Sequence, residues 1–179
     1  MIKFDVRTDI NAVRKQFKDK EKQINLAASF ALNRAISSAR TVATREISKR
    51  TGIKPQSAVR DRLHLRKAKP TFLIAEIAAE RYTPNLIRFN ARQTKGGVSA
   101  NAWGKRKRYK HTFIGNDGRT VFKRVGKARL PLKAVYGPRL AKSFVEREVT
   151  KAMDAVAATR FHTEFQREVK RRTAPVIAE

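Results

Sequence analysis

Cysteine is absent from the 179 residues. That excludes disulfides, thiolate metal sites and cysteine nucleophiles together. Acid is scarce as well: 15 Asp and Glu stand against 42 Lys and Arg, a formal net charge of +27. A metal-dependent nuclease needs carboxylates converging on its ions. The closest set in the middle of the chain is Asp61, Glu76 and Glu80. Glu76 and Glu80 have helical spacing, but they fall in a stretch that reads as extended. His64, His111 and His162 are far apart, and none has an HxxxH or HExxH context. Neither a P-loop nor a strand-borne GxGxxG occurs. The chain therefore reads as non-enzymatic, without cofactor or metal. Apolar runs are short and interrupted by Arg or Lys, far below the ~20 residues that cross a bilayer. The opening MIKFDVRTD lacks the apolar stretch of a signal peptide. No membrane partner is expected.

What is there is a core's worth of apolar residues, 41% of the chain. That is too much for a disordered basic tail. The length fits one domain, 1–179. The charge is uneven. Residues 81–130 hold 14 basic residues and a single acid, Asp117. A solvated face is the plain reading of a charge run. Here the missing acids leave like charges facing each other, and an anionic partner, most commonly nucleic acid, relieves that repulsion.

Ile2, Phe4 and Val6 alternate with Lys3, Asp5 and Arg7, the pattern of a half-buried strand. Thr8-Asp9 supplies a helix cap. From there Ile10, Val13, Phe17, Ile24, Ala28, Ala31, Ala35, Ala39 and Val42 recur at helical spacing. No Gly or Pro interrupts residues 9–50, which predicts one long helix or two close ones. Thr51-Gly52 stops it, and Pro55 opens a short helix through Arg62. Residues 71–78 and Leu86 to Phe89 read as strands, and residues 94–110 as a polar basic loop beginning at Gly96-Gly97. Thr112 to Ile114, the turn Gly115-Asn116-Asp117-Gly118, and Thr120 to Phe122 form a hairpin signal. Leu130 to Val135 is extended, and Tyr136-Gly137-Pro138 ends it. Phe144, Val145, Val149, Ala152, Val156, Phe161, Phe165 and Val169 then restore the helical period. Residues 139–172 contain no Gly or Pro. A helix of that length measures about 51 Å, so part of it should project or meet another chain.

The predicted fold is α+β. A small, mostly antiparallel sheet is flanked by a long N-terminal and a long C-terminal helix, with an extended basic loop. Its parts are residues 1–62 (strand plus helices), 63–137 (sheet with the loop) and 138–173 (C-terminal helix). Two sets of residues stand out. Arg92, Lys95, Trp103, Lys105, Arg106, Lys107, Arg108, Tyr109 and Lys110 place basic groups among aromatic rings, suited to phosphate contact with some stacking. The rings could instead anchor the loop to the core, which is the more common use of a lone Trp. Small and apolar faces at Ala28, Ala31, Ala35 and Ala39, and at Phe144, Val145, Val149, Ala152 and Val156, suit packing between subunits. No recognition helix or RNP-type aromatic pattern is present, so any contact with nucleic acid should be to the backbone.

The stretch Ala27-Ala28-Ser29-Phe30-Ala31-Leu32-Asn33-Arg34-Ala35, then Ser37-Ser38-Ala39 and Ala43-Thr44-Arg45-Glu46, resembles the start of the minor tail protein Z family of lambda-like phages and prophages. Val59 to Leu63, Arg66 to Ala68, Phe89 to Arg92, Asn116 to Arg119, Phe122 to Val125 and Leu130 to Phe144 continue the likeness. It covers roughly residues 27–147. It implies a structural virion protein, assembled in the host cytoplasm, that completes the head-proximal end of a long tail. It further implies a hexameric ring, with the tail terminator or tail tube protein and neck proteins as neighbours. The genome end would lie in the channel, where a ring of Lys and Arg can meet DNA phosphates without reading bases. The alternative, resting on charge alone, is a free non-specific nucleic-acid-binding protein.

Overall fold

The computed structural model describes residues 2–4, 10, 11, 13 and 20–173. The expected contributions of Val6, Thr8-Asp9 and Phe17 lie outside these residues. The fold is α+β, with a long helix toward each end of the chain and small antiparallel sheets. The chain forms two compact units, residues 1–42, 64–78 and 150–179 in one, and 43–63 and 79–149 in the other. Two of the boundaries fall inside the long helices and two inside strands.

The first unit holds strand β1 (Ile2–Phe4) and most of helix α1 (Glu21–Thr51), strand β2 (Leu63–Arg66), strand β3 (Ala75–Ala79) and helix α4 (Arg147–Thr173). The sheet order is β1-β3-β2, with Ile2 opposite Ile77 and Phe4 opposite Ala75. Ile10, Asn11 and Val13 are helical, as their spacing predicts. Ile24, Ala28, Ala31, Ala35 and Ala39 are all buried to 3% exposure or less. The alanines are small enough to let a neighbouring backbone come close. On α4 the buried residues Val149, Met153, Ala157, Phe161 and Phe165 recur every fourth position, one face of a helix. Phe161 and Phe165 stack with centroids 5.3 Å apart. Lys20 Nζ donates to Thr173 O at 3.0 Å, and Arg34 reaches Glu164. Within this unit α1 and α4 therefore run antiparallel.

The second unit begins where α1 ends. Gly52 closes that helix at φ +80°, its N–H donating to Ser48 O at 2.9 Å, the left-handed stop that glycine makes easy. Helix α2 (Ser57–Arg60) follows Pro55. Two three-stranded antiparallel sheets come next: β4 (Arg92–Thr94), β5 (Gly97–Ala100) and β6 (Lys107–Tyr109), then β7 (Thr112–Gly115), β8 (Thr120–Arg124) and β9 (Leu132–Ala134). The β7–β8 hairpin has the expected turn, with Asn116, Asp117 and Gly118 all at positive φ. Gln93 and Thr112 join the sheets. Gln93 Oε1 accepts from Ile114 N at 2.9 Å, and Thr112 Oγ1 accepts from Val98 N at 3.0 Å.

Three expected elements differ. Leu86–Phe89 is a 3-10 helix, not a strand. Asn85 caps it, its Oδ1 accepting from Ile87 N at 3.0 Å, and this local bond turns the chain before a ladder can form. The segment 94–110 is not a loop, since it supplies β5 and β6. The helix expected over 139–172 is interrupted: α3 (Leu140–Phe144) ends before α4 begins at Arg147. No Gly or Pro marks the break. The buried stripe instead shifts phase, from Leu140 and Phe144 to Val149, leaving Val145 61% exposed. Arg50 pairs with Glu146, in the break, at 3.0 Å and with Glu148, in the first turn of α4, at 3.5 Å.

Candidate nucleic-acid interface

Strand alternation sorts the basic cluster. Arg92, Ser99 and Arg108 are successive partners across β4, β5 and β6, and directly opposed residues share a face. Gln93, Val98 and Tyr109 form the next row, on the opposite face. Val98 and Ala100 are buried, so that second face looks inward. Arg92 and Arg108 are exposed. Lys95 lies in the β4–β5 turn, and Lys105, Lys107 and Lys110 are exposed around β6.

Gly97 permits the arrangement. At φ +129°, a Cβ there would stand 2.1 Å from Tyr109 O, so only glycine lets β6 lie alongside. Arg106 folds across the outer face. It donates through Nη1 to Ser99 Oγ and through Nη2 to Asn90 O, each at 3.2 Å. Both acceptors are neutral, so the charge of Arg106 is oriented but not cancelled. Among the described residues, none of Arg92, Lys95, Lys105, Arg106, Lys107, Arg108 or Lys110 has a carboxylate at ion-pair distance. Sequence reasoning missed Ser99, a small residue whose part shows only once the register is known.

The two aromatic rings have different fates. Tyr109 is half-buried on the inner face, and burial pushes its phenol above the usual range. It anchors the strand. Trp103 is 57% exposed and sits at φ 58°, ψ 32°, a left-handed backbone that is rare for a bulky residue. Its ring is presented outward. The outer face thus offers three arginines across two strand spacings, about 10 Å. That length of duplex axis carries roughly six phosphate charges.

The proposed packing residues are placed differently. Ala28, Ala31, Ala35 and Ala39 are spent inside the first unit's own core. Phe144 and Val149 are buried, Ala152 and Val156 are half-buried, and Val145 is exposed. Glu76 and Glu80 do not converge on one site. Glu76, in β3, pairs with Arg66 at 3.5 Å, and Glu80 pairs with Arg62 at 2.6 Å.

Comparison with known proteins gives one family. The model of the family described as prophage minor tail protein Z matches residues 9–177, a longer span than the quoted motifs cover. No curated protein and no solved structure matches.

Proposed function

Because the chain belongs to the prophage minor tail protein Z family, whose members are structural components of the phage tail, we propose that it completes the head-proximal end of the tail as a hexameric ring. The outer face of β4-β5-β6 would line the channel and meet the genome end through phosphates. The chain would act by placement and charge rather than by catalysis, beside the tail terminator or tube protein and the neck proteins. The observation that carries this reading is the row Arg92–Ser99–Arg108 with Arg106 held across it by neutral acceptors, none of the three arginines having a counter-charge among the described residues. Such a surface neutralises a polyanion without base readout. Since the alanine stripe is used within the chain, ring contacts fall to exposed apolar side chains such as Val145.

Electron microscopy of purified virions tests the proposal. The expected result is six-fold density for this chain at the upper end of the tail, with the sheet facing the lumen. Density elsewhere, or none, overturns it. A free monomer that binds nucleic acid tightly and is missing from virions would instead favour the charge-only alternative.

A further inference from the structure

A groove of about 500 Å³ opens on the second unit, lined by Arg81, Thr83, Arg139, Ala141 and Lys142. Its walls are tied together by backbone. Leu140 N donates to Tyr82 O at 3.0 Å, and Gly137 N donates to Pro84 O at 2.9 Å. Tyr82 itself lines the neighbouring groove, where the Arg62 guanidinium lies 4.5 Å over its ring. Arg81 and Thr83, on either side of it, are left to this one.

Three cations therefore share the groove, and among the described residues none of them has a carboxylate at ion-pair distance. Two other basic grooves are supplied with acid. The one at Arg34, Arg160 and Arg167 contains Glu164, and the one at Arg62 contains Asp61, with Arg62 paired to Glu80. Like charges held together without a counter-ion repel, and binding an anion relieves the repulsion. Two guanidinium forks, an ammonium and a hydroxyl together offer planar and point donors to a multiply charged oxyanion. Three positive charges exceed what one carboxylate neutralises. The volume lies within the range of pockets that hold whole small molecules, so the oxyanion can carry an attached group.

We propose that this groove is a phosphate-binding site, separate from the β4-β5-β6 face, which takes a phosphate group in free or nucleic-acid-linked form. The site does not depend on the tail reading.

Amide NMR of the full chain tests it, with inorganic phosphate titrated at constant ionic strength. Saturable shifts are expected at Thr83 and Ala141, with chloride producing none. In Arg81→Gln/Arg139→Gln the apparent phosphate affinity should fall at least about tenfold, the loss of one or two charge-assisted hydrogen bonds. Lys142→Gln is a second, single-charge variant. All three side chains are exposed, and unchanged melting confirms that the fold persists. Arg92→Gln/Arg108→Gln should leave the groove shifts intact. A second arm uses a short DNA duplex. Shifts at the same amides assign the site to backbone phosphate; response to phosphate alone assigns it to the free ion. Phosphate shifts scattered over exposed Lys and Arg, shifts unaffected by Arg81→Gln/Arg139→Gln, or shifts abolished by the sheet-face variant would each overturn the proposal.

Discussion

Asn33 and Ala68 exchange two hydrogen bonds. Asn33 Nδ2 donates to Ala68 O at 3.0 Å, and its Oδ1 accepts from Ala68 N at 2.8 Å. One side chain on α1 thus satisfies both backbone groups of a buried residue beyond β2. Asn33→Ala would strand both. A buried backbone group left unpaired costs about 1–3 kcal/mol. We expect a loss of about 2 kcal/mol, or roughly 4–8 °C in melting temperature for a chain of this size. A denaturant series with unchanged slope checks that the loss is one of stability.

Acid should weaken the first unit. The hydrogen bond from Arg34 holds the Glu164 carboxyl below the ordinary range, against the opposing effect of burial. Burial likewise pushes Glu168 up, but Arg171, Arg172 and Arg34 outweigh it and its net shift is downward. Groups with depressed native values stabilise fully above the unfolded value, and that contribution is lost as pH falls through the native one. Melting temperature should hold down to about pH 5 and drop below the ordinary carboxylate value of 4.5. Glu164→Gln/Glu168→Gln should start lower and fall less steeply, read from melts across that interval.

Gly52→Ala should be severe. A Cβ there would lie 1.9 Å from Asn101 O, and the residue sits at φ +80°. The left-handed backbone costs a non-glycine residue about 1–2 kcal/mol, and displacing packed neighbours adds about 1–3. Thermal melting should fall accordingly. Exchange of the amides around Asn101 should quicken.

The sheet face should bind DNA through charge. Replacing Arg92, Arg106 and Arg108 by Gln, one at a time, should each reduce the slope of log affinity against log salt by about 1. Unrelated duplex sequences should be affected alike. Trp103→Ala should weaken single-stranded DNA by about 1–3 kcal/mol and duplex much less. Fluorescence anisotropy at several salt concentrations measures both.

Much of this was legible in sequence, where local chemistry and tertiary demand agree. The long helices, the Gly52 stop and the β7–β8 turn follow from spacing and from residues with a single preferred conformation. The misses arise where one contact decides. Asn85 has two uses, strand flank or cap, and its bond to Ile87 N selects the cap. Val145 supplies an apolar residue at helical spacing, yet the buried phase skips it. The basic segment lacks alternating apolar residues because β5 alone contributes most of its inward side chains, Val98 and Ala100. Which basic residues gather on one side depends on register, which a charge count does not contain.

The neutral acceptors of Arg106 have a consequence for handling the protein. An arginine aimed by Ser99 and Asn90 keeps its full charge after folding, so the native state retains repulsion that an acidic partner would have removed. Added electrolyte screens that repulsion and also displaces a polyanion from the same surface. Ionic strength should therefore act in opposite directions on the two properties: the free chain is firmest in the saline buffers where it holds DNA least.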